Sequence, residues 1–198
     1  IASFKINLID PYARGVVRES ARDFHNVVSD GSFDWQGVEK PKTPMSQTII
    51  YEAHARGLTR GNTDMPDDIR GTYAALAHPS TIEHLQRIGI TAVELLPVQM
   101  FISEPRLMNM GLINYWGYNT LGYFAPDPRY CSSGTENAVS EFKEMVRAPD
   151  LLIIDEVSML RADLLDAVDH RMRWVKGRYD RSFGGAQVSR TFYARGQT

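Results

Sequence analysis

Thr48-Ile-Ile-Tyr-Glu-Ala-His-Ala-Arg-Gly57 and Thr91-Ala-Val-Glu-Leu-Leu-Pro97 are two short runs rich in strand formers, one closed by glycine and the other by proline. Each is the length of a strand, and the residues between them decide how the two pair. Residues 61–71 form a polar loop, and Ser80 then opens a helix through a capping box, Ser80-x-x-Glu83. In such a box each side chain satisfies the other residue's free backbone N–H. Ile82, Leu85 and either Ile88 or Ile90 give the helix an apolar face, and Gly89 ends it. Strand, loop, helix, strand is a βαβ unit, which calls for parallel pairing with a right-handed crossover.

The alternation continues downstream. Residues 137–148 are helical by periodicity, with Val139, Phe142 and Val146 on one side. Pro149-Asp150 makes a turn, and residues 151–154 are a continuous apolar run of the kind a parallel sheet buries on both faces. This run is expected to pair parallel to residues 93–96, with the 137–147 helix as crossover. Leu164, Leu165 and Val168 are expected on a further helix. Upstream, residues 4–9 are apolar and are stopped by Asp10-Pro11. Residues 19–46 are polar and turn-rich, a loop or linker with Phe33 and Trp35 as isolated anchors. Residues 100–111 read as a loop with scattered methionines.

Composition bounds the rest. The 198 residues suffice for one ordinary core or two small ones, and 43% hydrophobic with 23% charged residues is a globular balance. A net charge of −2 gives no electrostatic case for nucleic acid or an anionic membrane. The single cysteine, Cys131, excludes an internal disulfide, fits a reducing cytoplasm and reads as an inert thiol. The N-terminus lacks the form of a signal peptide, and no apolar run reaches membrane-spanning length. A first residue of Ile rather than Met reads as a piece of something longer.

The stretch Asn114-Tyr-Trp-Gly-Tyr-Asn-Thr-Leu-Gly-Tyr-Phe-Ala-Pro-Asp-Pro-Arg-Tyr130 follows neither helical nor strand periodicity cleanly. Flat aromatic faces stack on sugar rings, and glycine allows a close backbone approach to a ligand. An aromatic loop that plugs one end of a core would read the same way, so both remain open on residue chemistry alone.

The wording of residues 1–148 resembles bacterial glycogen debranching enzymes and isoamylases, members of the α-amylase superfamily (glycoside hydrolase family 13). LIDPYAR is similar to the tail of the β-sandwich before the catalytic barrel, and SFDWQGVEKPKTPMSQ to the approach to the first barrel strand. IYEAHARG and ITAVELLPV resemble the first two barrel strands, NYWGYNTLGYFAPDPRY the segment after the second, and EFKEMVRA the next helix. The resemblance implies an α/β chain: a partial (β/α) barrel-like parallel sheet with flanking helices, an incomplete TIM barrel. Residues 1–47 would be linker and the end of a preceding β-sandwich, residues 48–148 the first βα units. It implies cytoplasmic glycogen metabolism, α-glucan as partner and hydrolysis of α-1,6 branch linkages as the parent activity. Tyr118 would stack on the sugar at the cleavage site, with Trp116 and Asn119 lining the same pocket. His54 and Arg56 would face the barrel interior or serve structure alone. Both catalytic carboxylates of the superfamily come from later strands, so the resemblance implies no catalytic residue and no hydrolysis for this chain by itself; the five histidines, scattered without ligand-type spacing, give no metal site.

After Ala148 the wording changes. PDLLIIDEVSMLRADLLDAVD and SFGGAQV, within residues 149–188, resemble the Walker B region of superfamily-1 DNA helicases of the RecD-like and mitochondrial repair type. Asp155 and Glu156 would be the Mg²⁺-binding Asp and the water-polarising Glu. Met159 and Leu160 stand where the debranching family has the Asn and His of its DVVYNH phrase. No Gly-x-x-x-x-Gly-Lys-Ser/Thr loop occurs, so nothing cradles the phosphates. The two resemblances together imply a composite joined near Ala148, with residues 149–198 as a helicase-like segment and tail; Mg-ATP and nucleic acid enter only under the alternative that this chain acts as an ATPase or helicase fragment. A third alternative is a glucan-binding module without catalysis.

Overall fold

The computed structural model describes residues 9–10, 12–20, 23–28, 32–38, 43–148 and 152–154. The chain divides into two compact units, Ile1–Ile154 and Asp155–Thr198. All described residues belong to the first. Asp155, Glu156, Met159, Leu160 and the helix expected around Leu164, Leu165 and Val168 lie outside them.

The centre of the first unit is a three-stranded parallel sheet in the order β3 (Ile50–Ala53), β4 (Ala92–Leu95), β7 (Leu152–Ile154). Tyr51 pairs with Val93 and Ala53 with Leu95, and on the other side Val93 pairs with Leu152 and Leu95 with Ile154. Residues 152–154 of the expected apolar run thus join the sheet parallel to β4, in the order the sequence calls for. The first strand is shorter than the run Thr48–Gly57. It stops at Ala53 because His54 caps a helix, α1 (Ala55–Thr59), which takes in Arg56 and Gly57.

Between β3 and β4 come α2 (Tyr73–Ala77) and α3 (Pro79–Arg87). The expected capping box is displaced by two residues. His78, not Ser80, is the N-cap; its Nδ1 accepts from the Ser80 N–H at 3.3 Å, and Pro79 takes the first helical position, where a missing N–H costs nothing. The C-terminus closes as the sequence suggests. Gly89 adopts φ +81°, its N–H donates to the Gln86 carbonyl, and the Ile90 N–H reaches back to Leu85, which satisfies two orphan carbonyls. Of the expected apolar face, Leu85 is buried and Ile90 packs on the core, whereas Ile88 is exposed and Thr81 is buried instead.

Between β4 and the helix α5 (Ala138–Arg147) the chain makes an antiparallel excursion, β5 (Gln99–Phe101) paired with β6 (Thr120–Pro126). A one-and-a-half-turn helix, α4 (Pro105–Asn109), sits between them. The segment 100–111 is therefore largely strand and helix rather than plain loop, and residues 120–126 of the aromatic stretch are strand. Val93, Leu95, Leu76, Leu85, Phe101, Tyr130 and Met145 form the core between sheet and helices. On α5 the buried positions are Ala138, Glu141 and Met145; Phe142 and Val146 flank them, one step round from the face read off the sequence.

The described part of the N-terminal segment includes a pair of strands. β1 (Val16–Ser20) and β2 (Asp23–Asn26) form a hairpin, and Val16 and Ala13 pack with Met100 and Ala125. Phe33 meets Trp35 edge-on at 4.6 Å, and the Lys143 and Arg147 cations of α5 each lie 5.6 Å from its ring. They are a pinned cluster rather than isolated anchors.

Glu141 binds three segments together. Its carboxylate accepts from the Ala74 N–H of α2 at 3.1 Å, from the Ser132 and Ser133 N–H groups, from both serine hydroxyls and from the Cys131 thiol. Burial pushes this carboxyl up, but the donors, Ser132 N–H first among them, outweigh it and hold the group below its usual range. A depressed carboxyl contributes stability above its unfolded value and loses it as pH falls through the folded one. Glu141→Gln should therefore cost about 1–3 kcal/mol at neutral pH, the scale of a charge-assisted hydrogen-bond set. In urea midpoints the gap should narrow as pH falls below the ordinary carboxylate range and through the lowered folded-state value, where Glu141 itself protonates. A gap constant with pH would contradict the assignment.

Candidate functional site

In parallel α/β sheets ligands bind beyond the carboxyl ends of the strands, where loops from neighbouring strands meet. Here His54 directly follows the last residue of β3, and Pro97, two residues beyond the end of β4, sets its carbonyl against Gly117 of the aromatic segment. The loop of residues 102–119 therefore returns to the carboxyl end of the sheet.

Its two ends are tied by the Ile102 N–H, which donates to the Asn119 carbonyl at 3.0 Å. Inside the loop, Asn114 acts as a local template. Its N–H donates to Ser103 Oγ (3.0 Å), its Nδ2 to the Ile102 carbonyl (3.3 Å), and its Oδ1 accepts from the Gly117 N–H (3.0 Å). Gly117 has φ +86°, and a Cβ there would lie 2.8 Å from the Pro97 carbonyl oxygen. No other residue type suits both the backbone angle and the space.

With Gly117 pressed inward, its neighbours turn outward. Trp116 is 57% exposed and Tyr118 52%, large values for such rings. Tyr115 stacks on the His54 imidazole at 4.0 Å and 6° between planes, and Trp116 meets Tyr115 edge-on at 5.3 Å. Tyr115, Trp116 and His54 thus form one aromatic group, with Tyr118 one residue beyond Gly117. Asn119 has a different position: its Nδ2 donates to Glu104 Oε1 at 3.3 Å, and Asn114 Nδ2 reaches the same oxygen at 3.5 Å. Glu104 Oε2 is buried with no hydrogen-bond partner.

The loop's footing is a buried ion pair. Asp127, fully buried, receives a two-pronged hydrogen bond from Arg129 (Nε to Oδ1, 2.9 Å; Nη2 to Oδ2, 2.7 Å) and N–H donation from Phe101 (3.1 Å) and Arg129 (2.9 Å). The guanidinium also lies 3.6 Å over the Phe101 ring. Sequence reading passed over Asp127, Arg129, Glu104 and Asn114. For Asp127 a signal was present: Asp followed by Pro is a helix-start pattern, and Asp127 does cap the 3₁₀ turn Pro128–Tyr130.

Among the described residues no group of three or more His, Cys, Asp or Glu could hold a metal ion. Burial pushes the Cys131 thiol above its ordinary range, which leaves it a poor nucleophile. An apolar groove of about 280 Å³, lined by Tyr123, Phe124, Val139 and Phe142 among others, contains none of Trp116, Tyr118 and Asn119 and offers little polar chemistry.

Gly117→Ala tests how the aromatic turn is held. The left-handed angle costs about 1–2 kcal/mol for an L-residue, and the contact with Pro97 adds to it. A fall in the denaturant midpoint at unchanged slope is expected, and an unaltered midpoint would contradict the geometry.

No family model matches the chain. It is 45% identical over 148 residues to the glycogen operon protein GlgX homolog of Mycobacterium bovis, a match covering 74% of this chain and 20% of that protein. It is 54% identical over 121 residues to the glycogen debranching enzyme of Klebsiella pneumoniae, covering 61% of this chain and 18% of that one. In three dimensions it superposes on the type I pullulanase of Bacillus subtilis, solved with maltose, at a TM-score of 0.59 and 27% identity, covering 73% of this chain and 22% of the pullulanase. The chain spans about a fifth of the length of these relatives. Over most of its length it is similar to one segment of glycogen debranching enzymes, and the helices and parallel strands described above are similar in fold to part of a pullulanase.

Proposed function

We propose that residues 48–148 are the opening βα units of the (β/α)₈ catalytic barrel of a glycogen debranching enzyme, and that the turn at 115–118 is the α-glucan platform of this chain. One observation carries the reading: Trp116 and Tyr118 are exposed on a turn held against Pro97, at the carboxyl end of β4. That is the end at which (β/α)₈ enzymes build their sites. Supporting it, sequence relatives are glycogen debranching enzymes, and a structural neighbour was solved with maltose. Asn119 enters as the residue that fixes the far end of the platform through Glu104.

A retaining glycosidase needs a nucleophilic and an acid/base carboxylate about 5–5.5 Å apart. By the family resemblance both come from later strands, so the chain alone binds glucan without cleaving it. Residues 1–47 are then the linker and sandwich end that lead into the barrel, and glycogen as substrate puts the protein in the cytoplasm. No described helix is long and apolar enough to cross a membrane. The helicase-like reading of residues 149–188, with Asp155 and Glu156 at a Walker B strand end, rests on wording alone. Parallel pairing of β7 with β4 suits either reading and favours neither.

Two measurements test this function. Titrated with maltotriose, the chain should bind, and Tyr118→Ala should weaken binding by about 1–2 kcal/mol, the scale of a lost aromatic contact. Equal binding by both would remove Tyr118 from the platform. Incubated with glycogen or pullulan, homogeneous chain should release no reducing sugar, and clear debranching activity would overturn the non-catalytic part of the proposal.

A further inference from the structure

His54 sits where β3 gives way to α1, and its two ring nitrogens face different parts of the molecule. Nδ1 lies 3.1 Å from the Arg56 nitrogen and 3.0 Å from the Gly57 nitrogen, both N–H donors. Nδ1 must therefore present its lone pair, and the ring proton resides on Nε2. From there it is donated to the Tyr115 carbonyl at 2.7 Å, with the Tyr130 hydroxyl 3.5 Å away. The ring plane lies flat on Tyr115, and Gly57 leaves room for the Tyr115 hydroxyl, which a Cβ at 57 would meet at 2.9 Å. One neutral imidazole thus caps α1 with one nitrogen and grips the aromatic turn with the other.

An imidazolium cannot do both. With Nδ1 protonated, an N–H would point at two N–H groups, and the ring must swing away to relieve the conflict. Swinging breaks the Nε2–H bond and the stack on Tyr115.

We propose that His54 is the positioning residue of the aromatic turn, holding Tyr115, and through it Trp116 and Tyr118, only as the neutral imidazole. Its consequence for ligand rests on the glucan-platform reading: acidification should loosen the turn and weaken α-glucan binding. The charged and titratable groups against the ring are Arg56 of α1, Tyr115 of the turn and Tyr130 of the 3₁₀ turn. Burial lowers the His54 pKa, the bond to Tyr115 opposes this, and the Arg56 charge lowers it further, for a net value below the ordinary one. Burial keeps the Tyr130 hydroxyl protonated well above that range. The sign follows: the tie is complete above about pH 6.5, the unfolded histidine value, and is lost as pH falls through the folded value.

The test uses the whole chain and the variant His54→Asn. Asn is a good N-cap, so it keeps the Arg56 and Gly57 bonds, but its side chain is too short to replace the bond to Tyr115. Long-range ¹H–¹⁵N NMR at neutral pH should show His54 protonated on Nε2 alone. Hydrogen exchange, corrected for intrinsic rate, should show Gly117 and Asn114 losing about fivefold protection as His54 protonates, the scale of one hydrogen bond, with β3–β4 amides unchanged. His54→Asn should keep the α1 amides protected while the turn stays loosened at every pH, and maltotriose affinity should fall by a similar factor. A residue that merely caps α1 would leave the turn of His54→Asn as in wild type, and that result overturns the proposal. So does turn protection indifferent to His54 protonation in wild type, whatever the variant does. A turn that responds as expected in a chain binding no maltotriose at any pH would uphold the positioning role and overturn the glucan platform.

Discussion

The Asp127 carboxylate is the tie on which the arrangement depends. It is fully buried, and both oxygens are shared between the Arg129 fork and backbone N–H groups of Phe101 and Arg129. A buried charge held this way adds little net stability over an apolar filler, because desolvation offsets most of the attraction. Its effect is geometric. Removing one partner would leave a charge stranded in the core, so the β5–β6 pair has one seating and not several. The backbone repeats the constraint: the Asp127 N–H donates to Val98 at 2.8 Å, and the buried Tyr73 hydroxyl lies between the Val98 and Asp127 carbonyls at 3.1 and 3.0 Å. Through Tyr73 the helix α2 is tied to the same point.

From that footing the aromatic turn follows. With β5 and β6 seated, Ile102 and Asn119 close the loop, Asn114 shapes it, and Gly117 presses it onto the end of β4. Trp116 and Tyr118 face water because the residue between them faces inward. An aromatic ring exposed by such a rigid turn loses little conformational entropy when a flat ligand stacks on it, which is what a sugar platform requires.

Much of the sheet was legible in the sequence because parallel strands announce themselves locally. Ala92 to Leu95 is apolar apart from Glu94, Leu152 to Ile154 is apolar throughout, and the helix before each supplies the crossover. The errors arose where side chains competed with backbone pattern. Arg56 and Gly57 read as the end of a strand, but the His54 ring turns the chain into α1 two residues earlier. Ser80 and Glu83 match a capping box, yet His78 caps first. The segment 100–111 looked irregular because β5 is only three residues long and α4 only five. At the site, Trp116 and Tyr118 were visible by type. Glu104 and Asn114 were not, and Asp127 was marked only as a cap before Pro128, since their longer-range ties go to partners 10 to 26 residues away that no local pattern reveals.

The central claim is that the carboxyl end of this sheet presents a sugar-stacking surface. Amide chemical-shift mapping of the whole chain with maltotriose tests it most directly. The account predicts saturable shifts concentrated at residues 115–119 and at His54, with the β1–β2 hairpin and the groove beside Tyr123 and Phe124 undisturbed. Shifts confined to that groove, or none at saturating sugar, would contradict it.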